Sequence, residues 1–216
     1  PALEYMRTNE DCEPDLKYIQ DHLKQQLALY PDAEIIITQG FICLNHAGEI
    51  DNLKRGGSDY TASLVGGAIE ASEIQIWTDI DGMHNNDPRY VEKTSPISNL
   101  HFEEAAELAY FGAKILHPTC ILPAKIANIP VRLLNTMEPN AYGTLISNKT
   151  ERGKIKAVAA KDGITAIKIK SGRMLLAYGF LRKIFEIFET YKTSIDIITT
   201  SEVGVSVTLD NEKNLT

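Results

Sequence analysis

The sequence lacks the features that mark secreted, membrane-embedded and nucleic-acid-binding proteins. No stretch approaches the roughly 20 apolar residues of a membrane span, and no signal-peptide pattern opens the chain. The three cysteines in 216 residues are odd in number, far apart and without metal-like spacing, which fits a reducing cytoplasm. A net charge of −7 argues against nucleic acid as the main partner. We expect a soluble, cytoplasmic protein.

Two common phosphate-binding motifs are also missing. The chain has no Gly-x-x-x-x-Gly-Lys-Ser/Thr loop and no Gly-x-Gly-x-x-Gly fingerprint of the dinucleotide type. Nothing in it supports a Ser-His-Asp nucleophile, and no tract repeats at a fixed period. A site for an anion must therefore be built from other loops.

A glycine loop at residues 54–62 is the first candidate, with the sequence Lys-Arg-Gly-Gly-Ser-Asp-Tyr-Thr-Ala. The apolar run at 34–38 predicts a buried strand, and residues 58–71 carry apolar side chains at helical spacing. The glycines then precede a helix start, whose free N–H groups and positive dipole end favour an anion. The alternative is a plain glycine turn with Ser58 as the helix cap.

The second candidate is the polar loop at residues 78–89, which follows a predicted buried strand at 73–77. Ligands of open α/β sheets bind at the carboxyl ends of strands. Asp79 and Asp81 carry carboxylates of the kind that Mg²⁺ prefers, and Arg89 offers a forked partner for phosphate. A turn-rich loop in which Arg89 only offsets nearby acids explains the same residues equally well.

Lys114 follows the predicted helix at 102–111 and its glycine stop. Such a lysine is usually a solvated surface charge, and only the other two loops make it a candidate phosphate ligand. Taken together, the glycines, arginines, lysine and aspartates suit phosphoryl transfer, because its catalysis consists mostly of positioning and of neutralising phosphate charge.

The order of elements predicts an α/β protein with two domains, residues 1–148 and 149–216. In the first domain, strand and helix patterns alternate as in a parallel sheet covered by helices. Its remaining predicted elements are helices at 15–30 and 118–128 and strands at 41–44, 131–135 and 144–146. The second domain has predicted strands at 157–160, 164–170, 195–199 and 203–209 and a helix at 179–191. Strand, helix, strand, strand is two thirds of a ferredoxin-like βαββαβ unit.

Three motifs, at residues 54–62, at 77–82 together with 87–89, and at 111–118, resemble those of aspartate kinases in order and spacing. Residues 199–202 are similar to the regulatory ACT domain of the monofunctional, lysine-sensitive type, and residues 6–9 also fit. The resemblance implies an amino acid kinase fold, here partial, followed by a partial, ferredoxin-like ACT domain.

The resemblance implies ATP- and Mg²⁺-dependent phosphorylation of the L-aspartate side-chain carboxylate. The product, 4-phospho-L-aspartate, enters lysine, threonine and methionine biosynthesis. Arg55 would clamp aspartate, and Ser58 and Asp59 would line its pocket, so that Arg55 and Asp59 are the catalytic candidates. The residues implied for ATP are Thr78, Asp79, His84, Arg89, Lys114 and Ile115. The resemblance assigns no residue as a metal ligand.

The ACT part implies feedback regulation with lysine as the effector and a homodimer formed through ACT domains. Positions that match the lysine site are Met174, Phe180, Leu181, Ser194, Asp196, Thr200 and Ser201. Asp196 is the natural partner for an effector ammonium group, whereas Met174 and Leu181 fit a core or dimer contact equally well. Leu176 and Ala177 stand where some relatives carry histidine and serine, so a different effector stays open.

Aspartate kinases open with a strand and a Lys-Phe-Gly-Gly-Thr-Ser loop, and a second ACT domain normally follows the first. Neither is found here, so we expect a piece of a longer enzyme that is inactive alone. One alternative is another amino acid kinase of the glutamate 5-kinase or acetylglutamate kinase type. A second is a non-catalytic regulatory module that binds lysine.

Overall fold

The computed structural model describes residues 1–54, 56–111, 116–149, 154–172 and 178–210. They form two compact units, Pro1–Ala160 and Lys161–Thr216. The sequence places a domain boundary elsewhere, at 148/149. It stays a prediction.

The first unit holds four helices and six strands in its described part. Its helices are α1 (Leu16–Ala28), α2 (Gly57–Ala68), α3 (Phe102–Phe111) and α4 (Leu122–Ile126), with short 3-10 turns at Ala2–Glu4 and Pro118–Ile121. Its strands are β1 (Ile42–Leu44), β2 (Ile50–Asn52), β3 (Ile74–Thr78), β4 (Asn99–His101), β5 (Val131–Asn135) and β6 (Thr144–Ser147).

The main sheet has the order β3-β5-β6-β4. The pairs β3·β5 and β4·β6 are parallel, and β5·β6 is antiparallel. The carboxyl ends of β3 and β5 therefore meet the amino ends of β6 and β4, and we call this side of the sheet the site edge. The parallel-rich α/β fold predicted from the sequence is confirmed.

Two apolar clusters hold the first unit together. Under the main sheet, Leu100, Phe102 and Leu133 are at most 1% exposed, and burying a side chain of this size contributes about 1.5–3 kcal/mol. The second cluster packs α1 on α2 through Ile19 and Leu64. These contacts fix the start of α2 relative to the sheet.

The strand predicted at 34–38 is wrong, since no described segment pairs with it. Ile35 and Ile37 are 83% and 92% exposed. The segment is held instead by a hydrogen bond between the Thr38 and Tyr5 hydroxyls (2.8 Å). The Gln39 side chain, which follows it, accepts from the Ala2 N–H (2.9 Å). A β-branched run forms a strand only where a neighbouring strand supplies the ladder.

The strand predicted at 157–160 is also wrong. Its backbone makes one bond across the unit, from the Val158 N–H to the Asn85 carbonyl (2.9 Å), and no described residue extends this into a ladder.

The second unit consists of β7 (Thr165–Lys170), α5 (Phe180–Thr190), β8 (Ile198–Ser201) and β9 (Gly204–Leu209). The sheet order is β7-β9-β8 with both pairs antiparallel, so β7 and β8 run parallel with β9 between them. This is the split βαβ arrangement of ferredoxin-like folds. Its core forms where Ile184 of α5 packs against Val205 and Val207 of β9.

No helix in the described ranges combines the length and the apolar composition that crossing a membrane requires.

Candidate active site

The glycine loop begins α2 in a conformation that only glycine fits. Gly56 has φ +70° and precedes the first helical residue, Gly57. A Cβ at Gly56 would lie 2.7 Å from the Cys120 sulfur and 3.1 Å from the His117 Cβ. The Cys120 thiol donates a hydrogen bond to the Gly56 carbonyl (3.1 Å), and burial raises the pKa of this thiol to about 11. The thiol therefore keeps its proton at neutral pH.

The other side of the helix start is held by residues 40 and 41. A Cβ at Gly57 would lie 2.7 Å from the Phe41 ring, and a Cβ at Gly40 would lie 3.3 Å from the Ser58 Cα. The Thr61 hydroxyl donates to the Gly57 carbonyl (2.7 Å) and accepts from the Phe41 N–H (3.0 Å). The first turn of α2 is thus packed from both sides.

The electrostatics of this turn favour an anion beside a carboxylate. Gly56 caps α2 without a side-chain hydrogen bond, so the positive end of the helix dipole is not offset by its cap. Ser58 is exposed and Asp59 half-buried. Burial raises the pKa of Asp59, and a hydrogen bond from Ser58 partly opposes that rise. Arg55 lies outside the described residues, so its expected role stays a prediction.

The second loop leaves the sheet at Thr78, the last residue of β3. The Thr78 carbonyl accepts from the Thr136 N–H (2.8 Å), and the Thr78 hydroxyl donates to the Asp79 carboxylate (3.1 Å). Asp79 is exposed. Trp77 is 46% exposed, and its indole N–H donates to Gln75 (3.2 Å). We call residues 78–89 the β3 loop.

Thr144 holds the β3 loop against the sheet. Gly82 has φ +123°, and a Cβ there would lie 3.1 Å from the Thr144 nitrogen and closer still to its hydroxyl. The Thr144 hydroxyl accepts from the Met83 N–H (2.9 Å) and donates to the Ile97 carbonyl (2.7 Å). One buried side chain therefore fixes both the first half of the loop and the chain that returns from it.

Side-chain pairs stabilise the rest of the β3 loop. His84 Nε2 lies 2.6 Å from an Asp81 carboxylate oxygen, and its Nδ1 lies 2.7 Å from the Thr94 hydroxyl. Both ring nitrogens are engaged within the protein, so a contact of His84 with ATP would use the ring face. The Asp81 carboxylate is likewise engaged within the protein, by His84.

Arg89 forms an ion pair with Asp87, to which its Nε donates at 3.0 Å. The Asp87 carboxylate raises the pKa of Arg89. The Arg89 side chain is nevertheless 57% exposed, so an incoming anion has access to it.

The two loops lie on the same edge of the sheet. A Cβ at Gly66, near the end of α2, would lie 2.6 Å from the Ile74 side chain at the beginning of β3. Because α2 packs along β3 and rises about 1.5 Å per residue, its start is directed to the site edge, where β3 ends at Thr78. His117 contacts the glycine loop and closely follows Lys114 and Ile115, which the structure does not describe. Their expected roles remain predictions.

The sequence reasoning missed three residues that hold these loops: Thr61, Cys120 and Thr144. Thr144 binds a residue 61 positions away and Cys120 one 64 positions away, so no local pattern indicates them. The available signal was the glycines at 56 and 82, since a glycine of positive φ often faces a side chain in close contact.

The expected effector residues that the structure describes lie on α5, on β8 and in the segment between them. Phe180 is part of the core at the start of α5, whereas Leu181 is 39% exposed. Met174 falls in a range without a described placement. Phe180 thus packs against the core of this unit, and its assignment to the effector site stays a prediction.

The other expected effector residues surround β8. Ser194 is exposed and Asp196 half-buried, and the Asp196 N–H donates to the Thr208 carbonyl (2.9 Å). Thr200 and Ser201 are consecutive in β8, so their side chains point to opposite faces of the sheet. Their assignment to one effector site stays a prediction.

The fold corresponds to that of a known family of phosphotransferases. The profile of the amino acid kinase family matches residues 4–135. The chain belongs to the amino acid kinase family.

Within that family the chain is similar to aspartokinases. It is 43% identical over 209 residues to lysine-sensitive aspartokinase 3 of Escherichia coli, with 95% of this chain and 46% of that protein covered. It is 43% identical over 185 residues to the chloroplastic aspartokinase 1 of Arabidopsis thaliana, with 84% of this chain and 32% of that protein covered. The chain thus spans less than half the length of these relatives.

Solved structures of E. coli aspartokinase III match the fold in both of its states. The complex with aspartate and ADP, an R-state structure, matches with a TM-score of 0.81 and 42% identity over 96% of this chain and 47% of that one. The T-state complex with lysine and aspartate matches with a TM-score of 0.75 and 40% identity over 99% of this chain and 50% of that one.

Proposed function

We propose that this protein acts as an aspartate kinase, transferring the γ-phosphoryl group of ATP to the side-chain carboxylate of L-aspartate. The observation that carries the proposal is the likeness, in sequence and fold, to an aspartokinase that holds aspartate and ADP. In this chain the site edge brings an anion-favouring helix start and a polar loop to the same side of the sheet.

The glycine loop supplies the aspartate side. L-Aspartate carries two carboxylates and one ammonium group, so its pocket needs an electropositive part and a carboxylate. The start of α2 provides the first through its N–H groups and dipole, joined by Arg55. Asp59 provides the second, and the exposed hydroxyl of Ser58 can donate to the substrate.

The β3 loop supplies the nucleotide side. Arg89 is a forked donor that already holds an anion, the Asp87 carboxylate, and a phosphate can replace that partner with the same geometry. Thr78 and Asp79 stand at the end of β3, where nucleotides bind in open α/β sheets. We assign Lys114 and Ile115 to the same side, after the end of α3.

Mg²⁺ fits this site as a companion of the nucleotide. Among the described residues no group of three or more histidine, cysteine, aspartate or glutamate side chains is arranged to hold a metal. Mg²⁺ is usually held by one or two carboxylates together with substrate phosphates, and Asp79 is an exposed carboxylate at the right edge. When bound, Mg²⁺ neutralises charge on the transferring phosphoryl group. Aspartate and the nucleotide are positioned by the two loops.

The second unit is proposed to be the regulatory part. Its split βαβ arrangement fits the first three strands of an ACT domain, and the E. coli enzyme is lysine-sensitive by name. We propose lysine as the effector, a homodimer formed through ACT domains, and a place in lysine biosynthesis in the cytoplasm. The three free cysteines agree with a reducing compartment.

Calorimetric titration of the 216-residue chain with ADP, L-aspartate, L-glutamate, N-acetylglutamate and L-lysine tests the proposal. We expect ADP to bind and aspartate to bind in preference to both glutamate compounds. Preference for a glutamate compound would favour another amino acid kinase. Lysine binding without ADP binding would favour a regulatory module. Either result contradicts the proposed function.

A further inference from the structure

Thr61 joins the first turn of α2 to a segment 20 residues away. Its bond to the Gly57 carbonyl is the ordinary back-bond of a helical threonine to the residue four positions earlier. Its second bond, from the Phe41 N–H at 3.0 Å, is not part of the helix. Phe41 has φ +75°, a conformation that a residue of this size adopts only where its surroundings enforce it. Thr61 supplies part of that enforcement, because its hydroxyl binds the N–H of the strained residue.

Thr144 does the same for the β3 loop. It is fully buried, and its hydroxyl bonds the Met83 N–H and the Ile97 carbonyl, two residues from opposite ends of the excursion that leaves and rejoins the sheet. Its contact with Gly82 leaves no room for any other residue there.

The two hydroxyls share one chemistry. Each accepts from one backbone N–H, donates to one backbone carbonyl and is buried with its residue at most 4% exposed. Because both side chains are buried, we assign neither of them a direct contact with a ligand. Removing a hydroxyl leaves a backbone donor without a partner inside the protein, which is far more costly than losing a solvent-exposed bond.

We infer that Thr61 and Thr144 are positioning residues that act separately, Thr61 on the aspartate pocket and Thr144 on the nucleotide pocket. The inference rests on the proposed function. Thr61 fixes Gly57, which precedes Ser58, and Phe41, which follows the glycine that packs on Ser58. Thr144 fixes residues 82, 83 and 97, which set the course of the loop that carries Asp79 and Arg89. The bonds of one hydroxyl share no residue with those of the other.

The test uses Thr61→Val and Thr144→Val in the 216-residue chain, with dissociation constants for aspartate and ADP from calorimetry. Valine keeps the shape and removes the hydroxyl. We expect Thr61→Val to weaken aspartate binding about tenfold and to leave ADP within about twofold, with the opposite pattern for Thr144→Val. Thr61→Ser and Thr144→Ser keep the hydroxyl and should restore each affinity.

Thr8→Val is the matched control. Thr8 is also buried, but its hydroxyl makes no hydrogen bond with any described residue, so its removal should change neither affinity. The inference is overturned if Thr61→Val and Thr144→Val each weaken the binding of both ligands equally, or if neither variant changes an affinity. Failure of the proposed function would show earlier, because the unsubstituted chain would then prefer a glutamate compound to aspartate or would bind lysine without binding ADP.

Hydrogen exchange on the unsubstituted chain keeps the inference testable if a valine variant does not fold. Aspartate should slow exchange of the Phe41 amide and not that of Met83, and ADP should do the reverse. Equal protection of both amides by either ligand would contradict separate positioning.

Discussion

The two loops of the site edge are held in place by different forces. The glycine loop is held mainly by shape, because Cys120 and Phe41 occupy the space that a side chain at residue 56 or 57 would need, and hydrogen bonds from Thr61 and Cys120 add to this packing. The β3 loop is held mainly by polar bonds, from Thr144, from the His84 pair with Asp81, and from the Arg89 pair with Asp87. A loop held by shape presents backbone N–H groups in a fixed place. A loop held by polar side chains can exchange a partner for a ligand.

The largest effect should come from filling the space at Gly56. Gly56→Ala adds a Cβ 2.7 Å from the Cys120 sulfur at a residue with φ +70°. We expect the free energy of unfolding to fall by about 3 kcal/mol, from strain and overpacking together. Chemical denaturation measures it.

Gly48→Ala separates these two causes. Gly48 has φ +83° but nothing within 4 Å of its Cβ position, so it should lose only the conformational part, about 1 kcal/mol. Equal losses in the two variants would show that shape does not hold the glycine loop.

Removing the Cys120 sulfur should have the next largest effect. Cys120→Ala deletes both the packing under Gly56 and the hydrogen bond to its carbonyl, so we expect a loss of about 2 kcal/mol in stability and weaker aspartate binding. Denaturation and aspartate titration measure the two effects.

Cys43→Ala is the control for this change. Cys43 is equally buried, and its pKa is likewise raised by burial to about 11, but it belongs to the cluster between α1 and α2. It should lose stability without losing affinity for aspartate. A matching loss of affinity would mean that the sulfur of Cys120 acts only through global stability.

Arg89→Lys should show the exchangeable character of the β3 loop. Lysine keeps the charge and loses the fork, so we expect ADP affinity to fall about threefold to tenfold with little change in melting temperature. Calorimetry in buffers of increasing salt measures it, because an exposed phosphate contact weakens with ionic strength. An unchanged affinity would mean that Arg89 only offsets the charge of nearby acids in the loop.

The smallest effect concerns Asp59. Burial raises its folded pKa above the ordinary value of 3.8, so the cost of keeping it ionised is absent below about pH 3.8 and grows as the pH rises through the folded pKa. Asp59→Asn should therefore raise stability at pH 7 by less than about 1 kcal/mol, since the residue is partly solvated. The melting curves of Asp59→Asn and the unsubstituted chain should differ at pH 7 and coincide at pH 3.5. A variant less stable than the original at pH 7 would contradict the sign.

The sequence could predict the local features of the fold and of the two loops, but not the contacts between distant elements. Helices α1, α2, α3 and α5 follow from apolar spacing, because each buries one face. Residues 34–38 have the composition of a buried strand but no described partner, and composition alone does not indicate a partner. The glycines of both loops were visible in the sequence. The Thr144 and Cys120 contacts were not, because they depend on how distant elements pack.

The chain contains one tryptophan, Trp77, in the residue before the β3 loop begins. Trp77 is 46% exposed and stands next to the threonine and aspartate proposed to meet the nucleotide. When tryptophan is excited selectively, the fluorescence of the unlabelled protein therefore comes from a single position beside the site edge. Changes in the intensity and wavelength of this emission report on the β3 loop without a dye, a tag or an engineered reporter.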